Sequence, residues 1–266
     1  MKGGENMKKP TVLFCSTIIV ATGCTTAGTS KDHVKQEKVE LTISAASSLQ
    51  DALTNIKTNF ERKYPNVKIN FNFGASGSLQ QQISNGAPVD LFFSAAEDKF
   101  NILMKNGLIE KKNEKDLLGN EIVLVVPKDA KNGINSFEDL TKATKVSIGT
   151  PDVVPAGKYA METLRNINIW NSVEGKIVYA KDVRQVLTYV ETGNVEAGIV
   201  YKTDALTSSK VKIIATANNH SHVPIIYPVG MIKNSSHSKE ARLFYEYLQN
   251  EKSMKVFENY GFIDLH

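Results

Sequence analysis

The regular alternation of short strand-like segments with longer helix-like segments is the feature that most constrains this fold. Residues 41–45 alternate apolar and polar side chains as a strand does, and residues 49–60 then carry apolar side chains at helical spacing. Further strands are predicted at 67–73, 89–93, 122–126, 146–148, 177–179, 197–201, 211–215 and 225–232, and further helices at 79–84, 157–165, 183–190, 241–248 and 253–260. This alternation favours an α/β fold with largely parallel sheets.

Composition excludes several broad classes of protein. The chain has 266 residues, of which 41% are hydrophobic and 23% are charged, which is typical of a globular protein and not of a disordered or collagenous one. Its 32 basic and 28 acidic residues form no long runs, so no nucleic-acid partner is expected. Both cysteines, Cys15 and Cys24, lie in the first tenth of the chain. The remainder therefore has no disulfide, thiolate metal site or cysteine nucleophile.

The beginning of the chain has the pattern of an export signal. Lys8 and Lys9 precede an apolar stretch at 11–22, which is shorter than the roughly 20 residues of a membrane-spanning helix. A basic head, a short apolar stretch and small residues before a cleavage point predict a secretory signal peptide over 1–23. Met7 is a second candidate for the first residue, because it directly precedes the two lysines.

Cys24 stands just after the predicted cleavage point. This arrangement resembles a bacterial lipobox, which implies that Cys24 carries a lipid and holds the mature chain at the outer face of the cell membrane. A lipobox prefers Leu, Val or Ile where this chain has Ala21, so an ordinary secretory signal is the alternative. Residues 24–39 are polar and predict a flexible tether. The leader holds three lysines and one glutamate, so removing its charge of +2 from the total of +4 leaves about +2.

Four predicted strand-to-helix turns place small or hydroxyl residues at the start of a helix. A helix N-terminus presents unpaired N–H groups and about half a positive charge, which together attract anions. In α/β sheets, ligands bind beyond the carboxyl ends of strands, where such turns lie. The turns are AASSL (45–49), GASGS (74–78), VPAG (154–157) and DVRQ (182–185). If several converge, they form a cage of uncharged donors.

Each turn also has a purely structural interpretation, in which its polar side chain caps the helix. Proline at 155 suits a first helical position, where the missing N–H is not needed. The residue pairs with the spacing of a capping interaction are Ser48 with Asp51, Ser78 with Gln81, and Asp182 with Gln185. The sequence alone leaves open which of the turns bind an anion and which only cap.

Enzyme motifs are weak in this chain, so no enzymatic activity is expected. The turn at 74–78 is not a nucleophile elbow, because that motif requires glycine where Ser78 stands. Neither a Walker A lysine motif nor a dinucleotide-binding glycine motif is present. His220 and His222 could hold a metal or simply lie in an exposed loop. A serine hydrolase built on Ser48 or Ser76 is a remaining alternative, and it would require one of these histidines beside the serine.

At these turns the chain resembles the molybdate-binding proteins of bacterial ABC importers. The resemblance covers about residues 41–263 and depends on the order and spacing of several short sequence motifs. They are AASSL (45–49), GAPVDLFFSA (86–95), VPAGKYA (154–160), DVR (182–184), GIVY (198–201) and YGF (260–262).

The resemblance implies a type II periplasmic-binding-protein fold, in which two α/β lobes close on a ligand cleft. The first lobe would comprise 40–121 and 228–266, and the second 122–227. The family's site residues correspond to two serine hydroxyls, two backbone amides and one tyrosine hydroxyl, which here are Ser48, Ser76, Ala156, Val183 and Tyr201. Ser47 is a candidate to share the role of Ser48, and Tyr201 has an alternative role as a packing residue at the end of its strand.

The implied ligand is molybdate or tungstate, without a further cofactor or separate metal site. The resemblance also implies a monomer that delivers the anion to the permease and ATPase of an ABC importer. Because these oxyanions carry no proton near neutral pH, we expect no carboxylate in the cleft, with Asp51, Asp152 and Asp182 capping helices instead. A binding protein for another tetrahedral oxyanion, such as sulfate, is the nearest alternative.

Overall fold

The computed structural model describes residues 38–265, so the predicted signal peptide, Cys24 and nearly all of the predicted tether lie outside the described residues. Most strands begin and end close to the predicted positions, but β4 and the short β11 were not predicted. The strands are β1 (Val39–Ala46), β2 (Val67–Gly74), β3 (Leu91–Phe93), β4 (Ile109–Gly119), β5 (Ile122–Pro127), β6 (Val146–Gly149), β7 (Ile177–Ala180), β8 (Ala197–Tyr201), β9 (Val211–Thr216), β10 (Ile226–Ile232) and β11 (Ile263–Asp264).

The predicted helices are all present, and three more were not predicted: α3, α5 and α7. The helices are α1 (Gln50–Lys63), α2 (Ser76–Ser84), α3 (Glu97–Lys105), α4 (Pro155–Asn166), α5 (Trp170–Val173), α6 (Val183–Glu191), α7 (Lys202–Leu206), α8 (Ser238–Leu248) and α9 (Glu251–Asn259). Short 3-10 turns cover Ser47–Leu49, Glu138–Lys142 and Glu174–Lys176.

The strands form two sheets, one in each of two lobes. The six-stranded sheet of the first lobe has the order β11-β4-β10-β3-β1-β2, and the five-stranded sheet of the second has the order β7-β6-β8-β5-β9. The chain passes from the first sheet to the second between β4 and β5, and it returns between β9 and β10. This mixed α/β architecture confirms the predicted two-lobe type II fold.

The expectation of largely parallel sheets was wrong. The β2-β1-β3 and β7-β6-β8 groups are parallel, but β10, β4 and β11 in the first sheet, and β5 and β9 in the second, join through antiparallel pairs. Parallel neighbours require a crossover, usually through a helix. Because β5 and β10 each arrive directly from the other sheet, they can enter in the opposite direction.

Apolar side chains at helical spacing attach the helices to the sheets. In α1, Leu53, Ile56 and Phe60 are fully buried, and the Phe60 ring packs edge-on against Phe244 of α8 with centroids 4.9 Å apart. In the second lobe, α4 and α6 bury a similar apolar face against β6 and β8. This packing holds the N-termini of α2, α4 and α6 beside the carboxyl ends of the central strands. No helix within 38–265 has the length and apolar character needed to cross a membrane.

Candidate ligand-binding site

A small cavity lies where the carboxyl ends of the strands of the two lobes face each other. All five predicted site residues line it. The complete lining is Ala46, Ser47, Ser48, Gly74, Ala75, Ser76, Ala95, Val154, Pro155, Ala156, Val183 and Tyr201. Its volume of about 10 Å³ is close to the space that one water molecule needs. The lobes are therefore closed on each other around this point.

Two serines from the first lobe present hydroxyl groups to the cavity. Ser48 lies in the 3-10 turn after β1, and its Oγ is hydrogen-bonded to the Tyr227 hydroxyl at 3.0 Å. Ser76 is the first residue of α2, and its Oγ accepts a hydrogen bond from the Ala95 amide at 2.9 Å. Because that bond occupies an oxygen lone pair, the Ser76 proton remains available for a ligand. Ser47 also lines the cavity, beside Ser48.

Two of the expected capping pairs are wrong. The helix α1 begins at Gln50, after the 3-10 turn, and its first turn has no side-chain cap from Ser48. The helix α2 begins at Ser76, so Ser78 is already its third residue and cannot be its cap. Ser47 and Ser48 line the cavity after β1, and Ser76 lines it after β2, while Asp51 contacts Arg184 instead of capping a helix.

The second lobe keeps its predicted helix starts. Pro155 is the first residue of α4, and the Asp182 carboxylate accepts a hydrogen bond from the Gln185 amide at 2.9 Å at the start of α6. Asp152 was expected to be a cap, but the N-cap of α4 is Val154, which forms no side-chain cap. This part of the prediction succeeds for α6 because the Asp182 interaction is local in sequence.

Ala156 and Val183 contribute backbone groups to the cavity. Ala156 is the second residue of α4 and Val183 the first residue of α6, positions at which the N–H has no acceptor within the helix. Each helix end also carries partial positive charge from the aligned peptide dipoles. The side chains matter little for this chemistry, which is why apolar residues can serve at both positions.

Two glycines near helix starts make different close contacts. At Gly157, a Cβ would lie 1.9 Å from the Gly149 carbonyl oxygen. The missing side chain therefore allows α4 to pack against β6 within the second lobe. Gly77, by contrast, contacts the other lobe. Its N–H donates a hydrogen bond to the Val153 carbonyl oxygen at 2.9 Å, and a Cβ at this position would lie 2.7 Å from the Val153 Cα.

Three buried tyrosines lie at or behind the cavity, and two of them, Tyr159 and Tyr227, were not predicted. Tyr201 lies at the end of β8 and donates a long hydrogen bond of 3.4 Å to the Ala95 carbonyl, as Tyr159 also does. Tyr227 lies behind Ser48 and packs edge-on against Tyr201, with ring centroids 5.6 Å apart. Burial raises the pKa of both Tyr201 and Tyr227 well above the usual value, so both phenols keep their protons.

The lining contains no acidic or basic side chain, although charged residues stand nearby. Lys158 pairs with Asp98 of the first lobe at 3.2 Å. Arg184 contacts Asp51 of the first lobe, and its Nε lies 2.8 Å from Asp204 within the second. These two cations therefore bridge the two lobes.

Asp204 is the buried member of this charged group. Burial raises the pKa of Asp204 to about 7, and the neighbouring Arg184 guanidinium limits the rise. Asp204 is fully buried, whereas the Arg184 side chain is 24% exposed. The pair therefore holds Arg184 in place on the second lobe, from which it reaches Asp51 across the cleft.

Ser48 and Ser76 have hydrogen-bond partners other than the two histidines. The His222 Nδ1 lies 2.8 Å from the Val223 carbonyl oxygen, whereas Ser48 and Ser76 bond to Tyr227 and to the Ala95 amide. The geometry gives no support to the serine-hydrolase alternative. Among residues 38–265, no group of three or more histidine, cysteine, aspartate or glutamate side chains is arranged to hold a metal ion.

Known proteins resemble this chain over nearly its whole length. YvgL of Bacillus subtilis (strain 168), provisionally named as an ABC transporter substrate-binding lipoprotein, is 54% identical over 92% of this chain and 93% of its own. The molybdate-binding protein ModA of Haemophilus influenzae is 35% identical over 96% of this chain and 99% of its own.

A solved structure and a family model agree with these relatives. The structure is the substrate-binding domain of a Clostridium difficile protein provisionally assigned to a molybdenum ABC transporter, with 41% identity and a TM-score of 0.67 over 86% of this chain and 100% of that one. The model of the bacterial extracellular solute-binding proteins matches residues 41–263. The chain therefore belongs to the family of bacterial extracellular solute-binding proteins.

Proposed function

We propose that this protein captures molybdate, and also tungstate, outside the cytoplasm and delivers the anion to an ABC importer. The observation that carries the proposal is the uncharged cavity lining, in which hydroxyl groups from one lobe face two helix N-termini from the other. Such a site offers hydrogen-bond donors and partial positive charge to an anion. The named ligands of ModA and of the Clostridium difficile transporter support the choice of molybdate.

The donors suit an anion that carries no proton. Molybdate is a tetrahedral dianion near neutral pH, so its oxygens only accept hydrogen bonds. In our proposal, Ser48, Ser76 and Tyr201 donate through their hydroxyl groups, while Ala156 and Val183 donate through their backbone N–H groups. Because the acceptors are charged, each of these bonds is stronger than a bond between neutral groups.

Selectivity follows from the same donor set. Phosphate keeps a proton near pH 7, and a donor that meets another donor in a buried site costs about 1–3 kcal/mol. The lining offers no carboxylate to accept that proton. Sulfate has the required charge but is smaller, so its bonds to the same donors would be longer, while tungstate is nearly the size of molybdate. A protein whose true ligand is sulfate would reverse this order of affinity.

Binding requires the lobes to open and then close. A cavity with room for about one water molecule admits a larger anion only after the two sides have separated. We propose that the moving bodies are the predicted lobes, 40–121 with 228–266 and 122–227, except that Ile226 and Tyr227 of β10 move with the first sheet, in which they are paired. An anion that contacts donors from both lobes stabilises the closed form, which would then be the form that the importer receives.

In this proposal, the beginning of the chain directs export and membrane anchoring. The signal peptide 1–23 would be removed, Cys24 would carry the lipid, and residues 24–39 would tether the binding unit to the membrane face. The name of YvgL, a lipoprotein, supports this anchoring. The protein would act as a monomer with the permease and ATPase of its importer, without a cofactor.

A thermal-shift series tests the proposed function. Protein freed of bound oxyanion is heated with molybdate, tungstate, sulfate or phosphate, and a ligand at 100 times its Kd adds about 2.7 kcal/mol of stability. Large shifts are expected for molybdate and tungstate, a smaller one for sulfate and the smallest for phosphate. The variant Ser76→Ala, which removes one donor to the anion and the acceptor of the Ala95 N–H, is expected to shift less with molybdate relative to its own ligand-free Tm. A shift with none of the anions would refute the function, and a phosphate shift equal to that of molybdate would refute the selectivity.

A further inference from the structure

A chain of buried polar groups lies directly behind Ser48 and does not line the cavity. The Tyr227 hydroxyl lies 3.0 Å from the Ser48 Oγ and 3.1 Å from the Asn120 Nδ2. Tyr227 is fully buried and Asn120 is 7% exposed, so water cannot readily replace either bond. Asn120 follows β4 and Tyr227 lies in β10, the two places where the chain passes between the sheets.

The orientation of the Asn120 amide is determined by its neighbours. Its Oδ1 accepts a hydrogen bond from the Glu121 backbone N–H at 2.9 Å, and a backbone N–H can only donate. The Nδ2 group must therefore point the other way. It donates to the Thr203 Oγ1 at 3.0 Å and to the Tyr227 hydroxyl, so both of its protons are used.

This orientation determines the direction of the next bond. Tyr227 accepts from Asn120, and its own proton needs an acceptor because an unpaired buried O–H costs about 1–3 kcal/mol. Of the two other hydroxyl groups beside it, the Ser48 Oγ lies at 3.0 Å, whereas the Tyr201 hydroxyl, which also contacts Tyr227, donates its own proton to the Ala95 carbonyl. Tyr227 therefore donates to Ser48, which leaves the Ser48 proton to point into the cavity.

We propose that Asn120 and Tyr227 form a relay that fixes Ser48 as a hydrogen-bond donor and so selects against oxyanions that carry a proton. The inference builds on the proposed oxyanion function and adds two positioning residues to it. A hydroxyl free to rotate could accept a bond from hydrogen phosphate, but a hydroxyl whose lone pair is already occupied by Tyr227 is poorly placed to do so.

Reversing the relay tests this proposal. In Asn120→Asp, the new carboxylate accepts from Tyr227, so the Tyr227 oxygen accepts from Ser48 and the serine presents a lone pair to the cavity. The measurement is the ratio of the Kd for phosphate to the Kd for molybdate at pH 8, where phosphate is mostly the hydrogen phosphate dianion. The added negative charge weakens both dianions alike, so the ratio reports the direction of the hydrogen bond.

We expect Asn120→Asp to reduce this ratio by about tenfold or more, which corresponds to at least one mismatched buried bond. Tyr227→Phe keeps the shape of the ring and frees the Ser48 hydroxyl, so a smaller decrease in the same direction is expected. In a Ser48→Ala background, Asn120→Asp should leave the ratio unchanged, because the relay then has no end group. A purely structural role would move both affinities and leave the ratio constant.

The outcomes separate the two proposals. If the unaltered protein binds none of the oxyanions, the proposed function and the relay both fail. If it binds molybdate selectively but Asn120→Asp and Tyr227→Phe leave the ratio unchanged, only the relay fails. Should Asn120→Asp not fold, the ratio measured for Tyr227→Phe decides the question alone.

Discussion

At the scale of single residues, the buried Asp204 carboxyl group makes the stability of the fold depend on pH. It is fully buried and pairs with Arg184, which also reaches Asp51 in the other lobe. The pKa of Asp204 rises to about 7 from an ordinary value of 3.8, so folding favours its protonated form. Its contribution to the free energy of unfolding therefore falls as the pH rises from about 4 through about 7.

Replacing Arg184 by glutamine should make this pH dependence stronger. Without the guanidinium, the pKa of Asp204 rises further, and the loss of stability continues above pH 7. We expect Arg184→Gln to have a Tm close to that of the unaltered protein at pH 5 and to be less stable by about 1 kcal/mol at pH 8, because each pH unit above the unaltered pKa of about 7 costs at most about 1.4 kcal/mol. Thermal unfolding across this range checks the prediction. Arg184→Gln combined with Asp204→Asn should recover most of the loss, and equal destabilisation at both pH values would contradict the argument.

At the scale of elements, two glycines near helix starts control two different packing contacts. Gly157 of α4 packs directly against the backbone of Gly149 in β6, a contact within one lobe. Gly77 in α2 has the Val153 backbone against it, across the cleft. The same substitution should therefore affect folding at one position and ligand binding at the other.

Alanine at each position tests this distinction. Gly157→Ala should lower the free energy of unfolding by at least about 1–3 kcal/mol, because the backbone of β6 must move. Gly77→Ala should leave the Tm of the ligand-free protein unchanged or higher, since alanine favours helix by about 1 kcal/mol, yet weaken molybdate binding by hindering closure. Gly175→Ala, where a Cβ meets nothing within 4 Å, is the matched control. Calorimetric titration and thermal unfolding measure both effects. Unaltered binding in Gly77→Ala would contradict the proposed closure.

At the scale of the whole molecule, ion pairs between the two lobes stabilise the closed form, in addition to the bound ligand. Asp51 pairs with Arg184, and Asp98 with Lys158, in each case across the cleft. The Asp51 side chain is 39% exposed and Arg184 is 24% exposed, so solvent screens their attraction. Pairs of this kind contribute roughly 0.2–1 kcal/mol.

Asp51→Asn should therefore speed the release of molybdate by up to about fivefold. The faster release reflects a weaker closed form, whereas association should not slow, because a negative charge near the anion has been removed. Stopped-flow measurement of release checks the effect, which should shrink at high salt. Glu258→Gln, which breaks an exposed pair with Lys255 within α9, should release molybdate at the original rate. An unchanged release rate in Asp51→Asn would show that the pair does not stabilise closure.

Much of the fold could be predicted because its signals are local. The apolar spacing of α1, the Pro155 start of α4 and the Asp182 cap of α6 each depend on residues within a few positions of one another. The strand β4 could not be predicted in this way, because its middle is polar and charged. Its extended conformation comes from pairing with β10, a partner more than a hundred residues away.

The sequence by itself determined the α/β alternation and the positions where hydroxyl groups and free backbone N–H groups follow strands, because strand, helix and cap preferences act over a few residues. Only the tertiary structure decided which of those groups share a cavity, that Ser48 faces it instead of capping α1, and that α2 begins at Ser76, before the expected cap Ser78. It also placed Tyr227 behind Ser48, 179 residues apart, and Asn120 behind Tyr227, 107 residues apart. No local pattern marks such pairs, since a hydrogen bond depends on distance in space, and the antiparallel return of β10 creates that distance.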